Sequence, residues 1–122
     1  MKAKVAKAQA SETLQGIIEE ALQSGADSIE LEYTDGGLEI TYMTGQLGLG
    51  HVLSDRTLAS ELLGLIAELA RLENKSRGVI VWTHAGKPYP IRVVEYDSFG
   101  EPAFRLKLGN PQPARKNNRP RD

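Results

Sequence analysis

Residues 28–42 read SIELEYTDGGLEITY, and apolar and polar side chains alternate along both halves of this segment. Ile29, Leu31 and Tyr33 alternate with serine and glutamate, and the same alternation resumes after Gly37. A period of two is typical of a β-strand with one face against a core, and Asp-Gly-Gly is typical of a tight turn. The segment therefore predicts a β-hairpin with one apolar face and one acidic face.

Two amphipathic helices are predicted, one on each side of this hairpin along the chain. From Leu14, apolar residues recur at i, i+3, i+4, i+7 and i+8, which predicts a helix over residues 12–24 that ends at Gly25. Ser54 is a preferred N-cap residue, and a second apolar stripe follows it in a helix that is predicted to end near Asn74. The predicted buried residues of this second helix are Leu58, Leu62, Leu65, Ile66 and Leu69.

The remaining segments predict a sheet. Residues 78–84, 89–96 and 102–108 read as three strands separated by turns, whereas residues 44–53 (TGQLGLGHVL) show no clear period and are predicted as a loop or a short edge strand. The order α-β-β-α-β-β-β with short connections favours antiparallel neighbours. We therefore predict an α+β fold: a two-layer sandwich with a mostly antiparallel sheet of about five strands and both helices packed on one face.

Charge is unevenly distributed along the chain of 122 residues. Residues 11–108 contain eight Lys/Arg and fifteen Asp/Glu, whereas residues 1–10 and 109–122 each carry a net charge of +3. The last segment has three prolines and no large apolar residue, so burial cannot offset the entropy of ordering it. We predict a basic N-terminal extension (1–10), a single α+β domain (11–108) and a disordered basic tail (109–122).

Composition excludes several classes of protein. No apolar run approaches the roughly 20 residues that span a bilayer, which predicts no membrane insertion. The N-terminal lysines precede no apolar segment of the kind found in secretory signals, and the chain contains no cysteine. Disulfides, thiol chemistry and zinc-finger spacing are therefore excluded, and a cytoplasmic location is predicted.

The charged side chains of the predicted strands are candidate partner-binding residues. Glu30, Glu32 and Glu39 lie on the acidic face of the hairpin, and the last strands bring Arg92 and Arg105 to the same side of the sheet. Residues i and i+2 of a strand lie roughly 6.5–7 Å apart and point in parallel, whereas a metal site needs converging ligands. We therefore predict a salt-bridged or partner-binding surface, with no catalytic residue, no metal site, no cofactor and no enzyme activity.

Two further features leave alternatives open. His51 follows the glycine-rich Gly45–Gly50 segment, and the sequence does not decide whether they contact a ligand or a partner. A small nucleic-acid-associated protein is the alternative function, because basic residues and aromatic rings suit single-stranded nucleic acid, although an acidic domain opposes phosphate binding. The residues concerned are Arg115, Lys116, Arg119 and Arg121 in the tail, and Trp82, Tyr89, Tyr96 and Phe99 on or beside the last strands.

The order of elements and several short motifs resemble the N-terminal, PAS-like domain of type II secretion and type IV pilus assembly ATPases in bacteria. Residues 25–32 read GADSIELE, where the family has Gly-Ala-Ser-Asp-Ile-His-Ile-Glu. The last strands carry Arg-Val at 92–93, Gly-Glu at 100–101 and Arg-Leu at 105–106, as the family does. The resemblance extends from about residue 12 to residue 108.

The chain departs from this family at the positions that handle nucleotide. Ile40 and Tyr42 stand where the family has two arginines, and no G-x-x-x-x-G-K-[ST] motif of a motor domain occurs. The resemblance therefore implies a non-catalytic protein-interaction module that docks on a protein partner. Partner identity and homo-oligomer formation are left open by the sequence.

Overall fold

The computed structural model describes the backbone of residues 2–110 and the side chains of residues 7–110. Within these residues the fold is α+β, with two helices and one six-stranded antiparallel sheet in the order β3-β2-β1-β6-β5-β4. The elements are α1 (Lys2–Ser24), β1 (Ser28–Thr34), β2 (Gly37–Thr44), β3 (Leu47–Leu53), α2 (Arg56–Leu69), β4 (Arg77–His84), β5 (Lys87–Ser98) and β6 (Glu101–Leu108).

The predicted sheet of about five strands is one strand too small, because residues 47–53 form the edge strand β3, which is the second of the two alternatives predicted for this segment. A turn with Gly45 at a φ of 62° leads into this strand, and the Gly45 N–H donates a hydrogen bond of 2.6 Å to the Asp27 carboxylate. The sequence of this strand shows no alternation of apolar and polar side chains, because glycines occupy alternate positions and every residue except Leu53 is exposed. Turn geometry and pairing with β2, rather than burial, therefore define β3.

The predicted hairpin is confirmed, with its aliphatic side chains buried and Tyr33 and Tyr42 partly buried. Leu31 lies directly opposite Ile40, Tyr33 opposite Leu38, and the alternate residues point to the other face. The face that carries Leu31 and Ile40 is called the apolar face. Its buried residues form one hydrophobic cluster with buried residues of both helices. The strand residues of this cluster are Ile29, Leu31, Leu38, Ile40, Ile80, Ile91, Val93, Phe104 and Leu106.

Helix α1 begins at Lys2, ten residues before the predicted start, so residues 2–10 of the predicted basic extension belong to a helix. The early segment KAKVAKAQA consists largely of alanine and lysine, which favour helix without an apolar stripe. Ala10 is fully buried, and Lys7 Nζ lies 3.4 Å from Glu68 Oε1 of α2. At the other end, Gly25 adopts a φ of 74° and ends the helix as predicted.

Helix α2 is shorter than predicted at both ends. Its N-cap is Asp55 rather than Ser54, because the Asp55 carboxylate accepts a hydrogen bond of 3.0 Å from the Leu58 N–H. Arg71 and Glu73 have φ values of 56° and 48°, so left-handed backbone follows the helix well before Asn74. The helix therefore ends at Leu69.

The buried face of α2 also differs in part from the prediction. Leu62 and Ile66 are fully buried, as predicted. Leu58 and Leu65 are only partly buried, and Leu69 is 43% exposed, because these residues lie at the margin of the contact with the core. The buried residues of the helix are Ala59, Leu62, Leu63 and Ile66.

We expect Asp55→Ala to lower the free energy of unfolding by about 1 kcal/mol, because the substitution leaves an N–H of the first turn without its side-chain acceptor. Urea unfolding of wild type and variant measures the difference. Asp55→Asn is the matched control, since its side-chain oxygen still accepts the bond. An equal loss of stability in both variants would contradict the assignment of Asp55 as the cap.

The last three strands occur where predicted, with longer boundaries. Two-residue turns at Ala85-Gly86 and Phe99-Gly100 join them, and all four turn residues have positive φ, which is the geometry of a type I′ turn. Lys87 and Pro88 were predicted in a turn but lie in β5 opposite His84 and Thr83. Tight turns of this kind let β5 extend to twelve residues.

Candidate binding face of the sheet

The five charged residues predicted from the sequence lie on one face of the sheet. This face is opposite to the apolar face and is called the charged face. Glu30 on β1 lies directly opposite Arg105 on β6, and Arg92 on β5 shares this face because it pairs with Lys107. Glu32 and Glu39 pair between β1 and β2. The register therefore brings together every residue of the predicted surface: Glu30, Glu32, Glu39, Arg92 and Arg105.

Charges of the same sign are grouped on this face rather than alternating. Glu32 lies directly opposite Glu39, and Arg92 lies directly opposite Lys107. Residues directly opposite on antiparallel strands have Cβ atoms about 4.5–5.5 Å apart, and like charges at this spacing destabilise a sheet. We call residues 30, 32 and 39 the acidic half of the face, and residues 77, 92, 105 and 107 the basic half.

The two halves meet at a single ion pair within the described residues of the face. Arg105 Nε donates to Glu30 Oε2 at 3.3 Å, and the two side chains remain 50% and 31% exposed. An ion pair with this exposure is screened by water and contributes little to stability. Among the described side chains of this face, the other charged groups form no ion pair, and Glu32 accepts a hydrogen bond from Tyr96 instead.

The basic half surrounds an open depression of about 540 Å³ on the sheet surface. Four cationic side chains border it, and Val79 and Val94 contribute apolar surface between them. Arg77 was missed by sequence reasoning because the predicted strand began one residue later, and its place follows from pairing with Val94. The cationic residues are Arg77, Arg92, Arg105 and Lys107.

Tyr96 links the two halves across strand β6. Its hydroxyl donates a hydrogen bond of 2.5 Å to Glu32 Oε2, and the Arg105 guanidinium lies 5.6 Å from its ring centre. Ala103, which lies opposite Tyr96 on β6, is fully buried and small, so the ring can reach over it to β1. Burial raises the pKa of Tyr96 above its ordinary value of 10.0, and the hydrogen bond and charge of Glu32 raise it further.

We expect the raised pKa of Tyr96 to make the protein lose stability in alkaline solution. Below pH 10 the contribution is complete, and it is lost as the pH rises through the raised folded-state pKa, because the unfolded chain releases the tyrosine proton first. Urea unfolding between about pH 9 and about pH 12 should show a steeper loss for wild type than for Tyr96→Phe. Glu32→Gln should reduce the slope as well, and parallel slopes for all three proteins would contradict the account.

The histidines lie outside this face. His51 is on β3, where its exposed ring stacks on Tyr42 with the ring centres 6.0 Å apart. His84 lies beside a turn with its ring centre 6.1 Å from that of Tyr89. Among the side chains that the structure describes, no group of three or more histidine or carboxylate residues could hold a metal ion.

The aromatic residues of the nucleic-acid alternative do not form one surface. Trp82 lies opposite Tyr89 on the apolar side of the sheet, whereas Tyr96 lies on the charged face. Phe99 is fully exposed at the turn between β5 and β6. The four aromatic residues therefore do not form one stacking platform, because strand alternation places Trp82 and Tyr96 on opposite faces. The tail residues Arg115, Lys116, Arg119 and Arg121 lie outside the described residues.

A scan against models of known protein families finds none that matches this chain, and no curated protein matches it. In residues 2–110, no helix has the length and apolar character needed to cross a membrane.

Proposed function

We propose that the chain is a non-catalytic protein-interaction module that docks on a charged protein partner through the charged face. The observation that carries the proposal is the grouping of charges, with like-charge pairs at Glu32–Glu39 and at Arg92–Lys107. A sheet face with only a structural role is stabilised when opposite charges lie across from each other on neighbouring strands. The like-charge pairs of this face lack that stabilisation. A partner with complementary charges would offset the repulsion within each half.

The charges specify the chemistry of such a partner. The basic half suits carboxylates on the partner, because planar guanidinium groups donate two parallel hydrogen bonds to a carboxylate. The acidic half suits lysine or arginine side chains beside those carboxylates. Complementary fields of this kind accelerate encounter and fix the orientation of the complex more than they add affinity.

The resemblance to the N-terminal domain of secretion and pilus ATPases supports a docking role. In that interpretation the fold is a two-layer sandwich, with both helices on the apolar face and the charged face left for a partner. The nucleotide-contacting arginines of the family are replaced by Ile40 and Tyr42, which supports docking without catalysis. A cytoplasmic location remains a prediction from the cysteine-free sequence.

We expect Glu30→Gln with Glu32→Gln to change the free energy of unfolding by at most about 1 kcal/mol. The half-exposed ion pair of Glu30 contributes little, and a glutamine at position 32 can still accept the hydrogen bond from Tyr96. The same double variant should recover less partner from a lysate of the source cell, with slower association and a weaker dependence on salt. The measurement is quantitative mass spectrometry of captured proteins, followed by binding kinetics with the recovered partner.

Glu12→Gln with Glu61→Gln is the matched control, because both residues are exposed on helices and the change in charge is identical. This control should retain the wild-type set of captured proteins. Identical capture by all three proteins, or no specific capture by wild type, would overturn the proposal.

Nucleic-acid binding is the second candidate, and the four cations around the depression favour it. The adjoining acidic half opposes a phosphate backbone, because it repels the same groups that the cations attract. Fluorescence anisotropy with single-stranded DNA at low salt separates the candidates. Tight binding that Arg92→Glu abolishes would favour nucleic acid over a protein partner.

A further inference from the structure

Strand β3 is an edge strand without the usual protection against pairing. Among the described strands it bonds to β2 alone, and its sequence LGLGHVL contains neither a charged residue nor a proline. Leu47 and Leu49 are 78% and 80% exposed, and Val52 is 48% exposed. Natural edge strands are normally blocked by lysine, proline or a bulge, because an open edge is a template for another strand. Seven consecutive residues without such a device form a pairing surface.

The turn between β2 and β3 determines which backbone groups of β3 point outward. Because the turn has two residues, Thr44 and Leu47 form a hydrogen-bonded pair, and such pairs recur at every second residue. The N–H and C=O groups of Gly48, Gly50 and Val52 therefore point away from β2. No other backbone hydrogen bond among residues 2–110 involves these three residues. Each presents one donor and one acceptor to a neighbouring strand.

We propose that β3 pairs with β3 of a second copy of this chain, antiparallel and two-fold symmetric about Gly50. In this register Gly50 lies opposite its counterpart, and Gly48 lies opposite Val52 of the second copy. Every outward donor then meets an outward acceptor, because residues 48, 50 and 52 pair only among themselves. The two sheets join into one continuous antiparallel sheet, and the interface is the same surface on both copies.

The side chains of β3 favour this register. On the apolar-face side, Leu47 lies opposite Leu53 of the second copy and Leu49 lies opposite His51, so both exposed leucines lose contact with water. On the charged-face side, the valine of each copy lies against a glycine, which leaves room for it. The leucines also line a cleft of about 370 Å³ with Tyr42 and Glu20, and a second copy would cover the open side of this cleft.

The opposite edge of the sheet is less suited to self-pairing. Strand β4 also exposes Val79 and Val81, but Arg77 lies on that edge strand, and Arg92 lies on the next strand. Two-fold pairing of β4 would bring the basic halves of two copies together, and like charges in proximity oppose association. Charge therefore selects β3 as the edge that pairs with itself.

Sedimentation equilibrium of the full chain at increasing concentration tests this proposal. The mass should approach twice the 13.3 kDa of one chain. Leu49→Lys should weaken dimer formation by at least about tenfold, because it removes apolar burial from both copies and places two charges at the edge. Val81→Lys, a comparable change on the other edge strand, should leave the dimer intact.

Amide hydrogen exchange of the wild type tests the register without any substitution. The amides of Gly48, Gly50 and Val52 should exchange more slowly as the protein concentration rises, since they gain acceptors on association. A mass of one chain at every concentration would overturn the proposal, as would dissociation by Val81→Lys. Continued growth beyond two copies would indicate β3-to-β4 pairing instead, and slowing of these amides only with an added peptide would indicate a different occupant.

Discussion

Leu31→Ala is expected to lower the free energy of unfolding by about 2–5 kcal/mol, one of the largest effects of any single substitution in this chain. Leu31 is fully buried on the central strand β1, directly opposite Ile40 on β2 and Phe104 on β6. Removing its side chain deletes contacts on both sides and leaves a cavity that the paired strands cannot close. Urea unfolding monitored by circular dichroism measures the difference.

Val81→Ala is the matched control for this substitution. Val81 also belongs to a strand, but it is 65% exposed on the edge strand β4, so its truncation should change stability by less than about 0.5 kcal/mol. Comparable losses for the two variants would show that the alternation of buried and exposed residues has been assigned to the wrong faces.

The hairpin could be predicted from sequence because its side chains alternate between apolar and polar at every second residue. Strand β3 could not be predicted with the same clarity, since Gly48 and Gly50 have no side chain and no residue of the strand is fully buried. Likewise, the first turns of α1 rely on alanine and lysine propensity and carry no apolar stripe. The pattern of apolar and polar residues detects elements that bury one face. It does not detect an element that is formed by strand pairing or by helix propensity alone.

Arg92→Glu with Lys107→Glu is expected to weaken capture of the protein partner by at least about tenfold, because like charges placed across an interface oppose association by several kcal/mol. Both residues border the depression of the basic half, and both are exposed. The fold should remain intact, since the two positions carry like charges before and after the change. Quantitative capture at low salt and a titration with the recovered partner provide the measurement.

Lys75→Glu with Lys87→Glu supplies the control with the same change in net charge. Lys75 precedes β4 and Lys87 lies opposite His84, so neither residue belongs to the basic half. This control should bind the partner as wild type does. Equal loss of binding in both double variants would attribute the interaction to net charge rather than to the charged face.

The charged face could be anticipated only in part. From the sequence alone, strand alternation predicts that Glu30 and Glu32 lie on the same face of the sheet, and that Arg105 lies on this face as well. The like-charge pairs require the register between strands, which the sequence does not give. The hydrogen bond from Tyr96 to Glu32 joins residues 64 positions apart, and it depends on a small residue at position 103 between them. Grouping of charge is therefore a property of the folded sheet.

Covalent footprinting of the chain with and without its captured partner tests the docking face most directly. Carboxylate labelling reports on Glu39 of the charged face and on Glu61 of α2, and amine labelling reports on Lys107 and Lys87 in the same way. The proposed function predicts that the partner protects Glu39 and Lys107 and leaves Glu61 and Lys87 unchanged. Protection of Glu61 and Lys87, with Glu39 and Lys107 labelled as in the free chain, would show that the partner binds elsewhere and would contradict the proposed docking face.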